Sequence, residues 1–220
     1  MALIRSVFQE ELDSVSQSLV DLTNMVSESI HKATDSLIKA DLNLAEEVIS
    51  YDEKIDTYQH ELDSRIIDII ARQQPVASDL RALVTALRMS ADLERMGDMA
   101  HHISKLARMR YPATAVPPQA SLTIEEMGRV AGLIIDKLAK IIKSRDLEDS
   151  KQLAIDDDEM DKLHRKLIQS LVSKDWPHGA ESAIDLTLLG RYYERSADHA
   201  VSISRRVYFL VTGKYLQEKA

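Results

Sequence analysis

The sequence predicts an all-α protein built from two tandem three-helix bundles. Three observations carry that reading. Six glycines and five prolines are few for 220 residues, so turns are scarce and the elements between them long. Apolar residues recur with helical period over stretches of about thirty residues. The second half of the chain also repeats the first.

The prolines set the divisions. Pro75, the group Pro112, Pro117 and Pro118, and Pro177 fall between periodic segments, where a helix interior would not tolerate them. Six helices follow, at approximately 5–39, 42–73, 76–109, 121–145, 147–175 and 180–212. In the first, Val15, Leu19, Leu22, Val26, Ile30, Ala33 and Leu37 form one apolar stripe. The second carries Leu44, Val48, Tyr51, Ile55, Tyr58, Leu62, Ile66 and Ile69 at alternating spacings of four and three. Asp41 and Asp146 each precede a periodic run and read as N-caps or first-turn acids. Short connections imply antiparallel neighbours, hence bundles. Residues 111–120 are the one convincing linker, which gives a first bundle over 1–110 and a second over 121–220.

The repeat is explicit. Asp52-Glu53-Lys54-Ile55-Asp56 aligns with Asp157-Asp158-Glu159-Met160-Asp161, and Asp41-Leu42 with Asp146-Leu147 at the same offset. Glu94-Arg95-Met96-Gly97-Asp98 aligns with Glu194-Arg195-Ser196-Ala197-Asp198 at a slightly shorter one. A single long period points to duplicated bundles rather than a solenoid, side by side about an approximate internal two-fold.

Composition excludes several functions. There is no cysteine, hence no disulfide scaffold, thiolate metal site or cysteine nucleophile, which fits a reducing compartment. A net charge of −8 disfavours nucleic acid and suits cations or basic protein surfaces. No apolar run approaches the roughly 20 residues of a spanning helix, so membrane contact is expected only through proteins.

The sharpest chemical feature is the repeated Glu-x-x-x-Asp. Glu94 and Asp98 lie about 40° apart on one helical face, and Glu194 and Asp198 likewise. The first pair continues the line of Leu80, Val84, Leu87 and Ala91, and the second that of Ala180, Ala183 and Thr187, so both are expected to extend core stripes. A carboxylate there needs a cation, a hydrogen-bond partner or a proton. Arg95, Arg191 and Arg195 are candidate partners, and a structural ion pair competes evenly with a metal. Asp52 with Asp56, and Asp157 with Asp161, border their stripes and by themselves read as solvated acids. Brought into one groove with the Glu-x-x-x-Asp pairs, they would make all-oxygen sites for Mg²⁺, Mn²⁺, Ca²⁺ or iron, with Zn²⁺ a further candidate.

The enzyme alternative is a carboxylate-bridged metal bundle of ferritin type, or a metal store. It needs Glu-x-x-His on two helices, and only Glu28-Ser29-Ile30-His31 fits, with Asp98/His101 and Asp161/His164 as weaker echoes. His101 and His102 read as surface or groove residues and His164 as a near-core histidine. No phosphate loop or nucleophile elbow is visible, and nothing demands catalysis.

Three segments in order, Gln73-Gln74-Pro75-Val76-Ala77-Ser78-Asp79-Leu80-Arg81, Asp92-Leu93-Glu94-Arg95-Met96-Gly97-Asp98 and Tyr193-Glu194-Arg195-Ser196-Ala197-Asp198-His199-Ala200, resemble the PhoU family of phosphate-uptake regulators. The resemblance runs along almost the whole chain. It implies a cytoplasmic, often homodimeric negative regulator of phosphate uptake and the phosphate-starvation response. Such a regulator works by contacts with the ATPase of a phosphate ABC transporter and with a sensor histidine kinase. It also implies metal clusters in some members on Glu/Asp-x-x-x-Asp motifs, whose positions here are Glu94, Asp98, Glu194 and Asp198. The isoleucine usual after the motif arginine is Met96 in one repeat and Ser196 in the other, changes that bear on local packing more than on ligation.

Overall fold

A computed structural model describes residues 2–214 and 216, with side chains from residue 7 onward. The outermost positions assigned above to the two units, 1, 215 and 217–220, lie outside the described residues. These contain six helices and no strand: α1 (Ala2–Lys39), α2 (Leu42–Gln73), α3 (Ala77–Arg110), α4 (Pro118–Ser144), α5 (Leu147–Leu171) and α6 (Gly179–Thr212).

Local chemistry explains several of the ends. Asp41 caps α2, its side chain accepting from the Leu44 amide at 3.1 Å. Asp146 caps α5 by accepting from Glu148 and Asp149 at 2.8 and 2.9 Å. Three boundaries differ from the sequence reading by three residues or more, the first being the start of α1 at Ala2 rather than 5. α4 begins at Pro118 rather than 121, because a proline fits the first turn, where its missing N–H costs nothing. α5 stops at Leu171 rather than 175. The segment after it turns, and the Trp176 indole donates to the Gly179 carbonyl at 3.1 Å.

Helices α1, α3, α4 and α6 form the centre. Among the described residues, α2 packs only on α1 and α3, and α5 only on α4 and α6. The first unit meets the second through α1 with α4 and α3 with α6, and one continuous apolar core runs through both. Fully buried Tyr193 of α6 bonds Thr34 of α1 at 2.9 Å across that junction. A Cβ at Gly128 or Gly132 of α4 would collide with Thr34 or His31, so α4 lies against α1 only because those positions lack side chains.

The α1 stripe is buried throughout and the α2 stripe is buried or half-buried, in register with the sequence pattern. The expected α3 stripe is wrong by one face. Leu80 and Val84 are each 38% exposed and Ala91 is exposed, whereas Leu83, Ala86, Leu93, Met96, Ala100 and Ile103 fill the core. In α6, Ala180 and Thr187 are likewise exposed and Ala183 half-buried, while Leu186, Leu189, Tyr193, Ala197 and Ala200 are buried. Both helices carry large apolar residues on exposed faces as well, Leu80 and Val84 in α3 and Ile184 and Leu188 in α6, so no single line marks the core.

Candidate functional site: two acidic grooves

The displaced stripe changes where the repeated acids sit. Glu94 and Asp98 stand on the flank of α3 that faces α2, and Glu194 and Asp198 on the flank of α6 that faces α5. Each flank forms a groove with the outer helix of its unit. Asp52 and Asp56 line the first groove from α2, and Asp157 and Asp161 line the second from α5. In each groove the four carboxylates share one electrostatic field.

In the first groove, burial raises the carboxyl of Glu94 above its ordinary value, and the charges of Asp98, Asp56 and Asp52 push the same way against Arg95. Asp56 is raised by burial and by Asp52 and Asp98, with His60 and His101 opposing. In the second groove Asp157 is pushed up to about 7, first by burial and then by Asp198, Asp161, Glu194 and Asp158. Glu194 is raised by burial and by Asp198, against Arg191 and His164.

The cations are fewer than the acids. Arg95 reaches Asp98 at 3.1 Å and Glu94 at 3.4 Å. His101 Nδ1 bonds the almost buried Asp52, while Asp52 Oδ1 and His101 Nε2 are buried without a hydrogen-bond partner. Gly97 makes room for this pair, since the path of its missing Cβ points at Ile55 (3.1 Å) and Asp52 Oδ1 (3.6 Å). In the second groove Arg191 holds Glu194 at 2.5 Å and Arg165 approaches Asp161 at 3.8 Å. Arg195, the third candidate partner, is exposed and holds none of these acids.

The donor set suits an oxygen-seeking cation: carboxylates from two helices, and in the first groove an orphaned carboxylate oxygen beside an orphaned imidazole nitrogen. The side chains do not converge as they stand. Among the described residues no three Asp, Glu or His side chains are placed to hold one ion.

The ferritin-type pair is not assembled. Glu28 holds Lys32 at 2.6 Å, and His31 lies 3.5 Å from Asp136 of α4 at the junction of the units. His102 is exposed and stacks on Tyr192 of α6, with centroids 5.3 Å apart. His164 is half-buried against Gly190. Sequence reasoning missed the polar seam between α3 and α6, where Asp92 meets His199 at 3.1 Å and Arg206 at 3.3 Å, and Arg110 clasps Asp185 and Glu181. These residues are 71 to 114 positions apart, so no local spacing signals them.

Fold and site together define a class: all-helical proteins made by duplicating a three-helix unit, each copy carrying an acidic groove between its second and third helices. The model described as "PhoU domain" matches residues 19–107 and again 124–207, once per unit. The chain belongs to the PhoU family. It is 42% identical over 212 residues to the phosphate-specific transport system accessory protein PhoU homolog 2 of Mycobacterium tuberculosis, covering 96% of this chain and 100% of that protein. It is 40% identical over 215 residues to PhoU homolog 1 of Mycobacterium leprae, covering 98% and 97%. The crystal structure of PhoU from Pseudomonas aeruginosa superposes with a TM-score of 0.87 at 26% identity, over 94% of this chain and 100% of that one. PhoU from Streptococcus pneumoniae shares the fold, with a TM-score of 0.85 at 23% identity over 96% and 100%.

Proposed function

We propose that the protein is an accessory regulator of a phosphate-specific transport system, acting by protein contacts and without catalysis. The observation that carries this is the full-length match to phosphate-specific transport system accessory proteins, at 42% identity over the whole length of one of them. In this reading the protein restrains phosphate uptake and the phosphate-starvation response when phosphate is plentiful. Its partners are the transporter ATPase and a sensor histidine kinase, it works in the cytoplasm, and it pairs as a homodimer. No helix among the described residues is long and apolar enough to cross a membrane, which agrees with docking on membrane proteins from one side. The net charge of −8 favours basic protein surfaces over anionic lipid.

The acidic grooves take the regulatory or structural metal in this reading. Glu94, Asp98, Asp52 and Asp56 would hold a divalent or trivalent ion in the first unit, and Glu194, Asp198, Asp157 and Asp161 in the second. A bound cation would neutralise acids now held by too few arginines and tie the outer helix of each unit to the centre. Deleting the gene should raise transporter and alkaline phosphatase expression in phosphate-rich medium. Unchanged expression in a strain without a second copy would overturn the reading.

A further inference from the structure

The segment Asp98-Met99-Ala100-His101 puts a carboxylate and an imidazole three residues apart, neighbours on one side of α3. On that side His101 Nδ1 bonds Asp52 of α2, and both partners are withdrawn from water. The side chain of Asp52 is 10% exposed and that of His101 19%. An ionised carboxylate only accepts, so in the neutral ring Nδ1 carries the proton and Nε2 keeps its lone pair. Nε2 is buried without a hydrogen-bond partner, and so is Asp52 Oδ1. Folded proteins seldom leave buried polar atoms in that state, because each costs its full desolvation.

An imidazole tied to a carboxylate through one nitrogen, with the other unclaimed, is how metal-ligating histidines are held. The outer bond fixes tautomer and ring orientation and makes the free nitrogen more basic. The ring also belongs to the acidic groove. The carboxyl of Asp56, raised by burial and by Asp52 and Asp98, is pulled back by His60 and His101. Two other imidazoles differ. His199 pairs with Asp92 at 3.1 Å on the α3–α6 seam, but Arg206 shares that carboxylate at 3.3 Å. In the second groove the position matching His101 is Val201, and His164 enters from the opposite wall, against Gly190.

We infer that His101 is a metal ligand of the first groove, binding through Nε2 beside the carboxylate of Asp98, with Asp52 positioning the ring. Asp98 leaves Arg95, 3.1 Å away, to join it. This rests on the reading that the grooves take metal and narrows it. Carboxylates alone suit Mg²⁺, Ca²⁺ and Mn²⁺, whereas an added imidazole favours borderline ions such as Zn²⁺.

The test uses the full chain without a histidine tag, stripped of metal by chelator and dialysis. It is titrated by calorimetry with Zn²⁺ and, separately, with Mn²⁺. His101→Asn keeps an N–H for Asp52 near the place of Nδ1 and deletes Nε2. It should weaken Zn²⁺ binding by about tenfold or more and leave Mn²⁺ binding nearly as before. His199→Asn, which removes a similarly buried imidazole from the seam, should change neither. Nitrogen NMR of the imidazoles in the native protein needs no variant: the first equivalent of Zn²⁺ should shift His101 Nε2 while Nδ1 keeps its proton. Undiminished Zn²⁺ affinity in His101→Asn, or a shift confined to His164, would overturn the proposal and leave the metal reading standing. Equal losses for Zn²⁺ and Mn²⁺ would also overturn it, because an imidazole that only supports the fold does not discriminate between ions. If neither ion binds the native protein, the metal reading falls and this proposal with it.

Discussion

The two acidic grooves carry the same acids at matching repeat positions and neutralise them differently. In the first, Asp52 is nearly buried and is answered by His101 from the facing helix. In the second, Asp157 occupies the equivalent place, but the position matching His101 is the buried Val201. With no imidazole to face, Asp157 is pushed up to about 7 by burial and by four neighbouring carboxylates. Duplication has thus kept the acids and let the counter-charges diverge. In the first groove the most buried acid has a counter-charge, whereas in the second the matching acid has none and is held toward its protonated form. Perturbing each compensation separately tests that contrast.

The largest effect is expected from His101→Val, which gives the first groove the residue of the second. It strands a carboxylate whose second oxygen already lacks a partner. Leaving a largely buried charge unpaired should cost about 3 kcal/mol, read from urea denaturation at neutral pH. Val201→His in the second groove should move stability the other way if the new imidazole reaches Asp157. An unchanged urea midpoint for His101→Val would remove the distinction between the grooves.

A cation should come next. A divalent or trivalent ion that binds only the folded protein stabilises it by about 2.7 kcal/mol at a free concentration of a hundred times its dissociation constant. Mg²⁺, Mn²⁺ or Fe³⁺ should therefore raise the melting temperature. Asp98→Asn together with Asp198→Asn should remove most of the rise. The metal-free double variant should melt no lower than the parent, because Asp98 has only the exposed Arg95 as partner. A fall in its metal-free melting temperature would mean that these acids are structural ion-pair members.

The proton gives a smaller signal with a definite sign. A carboxyl whose folded pKa is about 7, against about 4 in the unfolded chain, holds more protons when folded between those limits. Its contribution to stability is full below pH 4 and fades as pH rises through 7. Water screens a half-exposed site, so about 1–2 kcal/mol of the linkage should survive. In chelator, Asp157→Asn should flatten this decline between pH 5 and 8 and be the more stable protein at pH 8. Metal should oppose the same decline in the parent, since it replaces the proton.

These contrasts bear on how much the sequence could tell. The stripe of α2 was legible because that helix packs on two neighbours, and the N-caps because a single aspartate satisfies them locally. The stripe of α3 was misplaced by one face because apolar residues lie on its exposed face as well, Leu80 and Val84 beside the buried Leu83 and Ala86, and spacing alone does not rank the two lines. The acids themselves were legible through the repeat, which needs only spacing. Their compensation was not: His101 reaches Asp52 across 49 positions, and Arg206 reaches Asp92 across 114. Such pairings are products of helix packing, and periodicity carries no record of them.

The smallest expected effect concerns the arginines at the rims. Arg191 is half-exposed and holds the less exposed Glu194 at 2.5 Å. An ion pair so open to water contributes at most about 1 kcal/mol, and salt screens it. Arg191→Gln should lower stability by about 0.5 kcal/mol at low salt and by nearly nothing at 1 M salt. Its consequence for the groove is larger than its consequence for the fold. Removing Arg191, the first of the two groups that oppose the rise of Glu194, leaves the four acids with His164 and the distant contact of Arg165. The carboxyl of Glu194 should then titrate higher, steepening the loss of stability between pH 5 and 8. A divalent ion no longer competing with Arg191 should bind more tightly. Arg95→Gln should do less in the first groove, because His101 remains on Asp52. Metal titrations of the two variants, run side by side, should therefore show the greater gain in affinity for Arg191→Gln, and equal gains would mean that the imidazole does not distinguish the grooves.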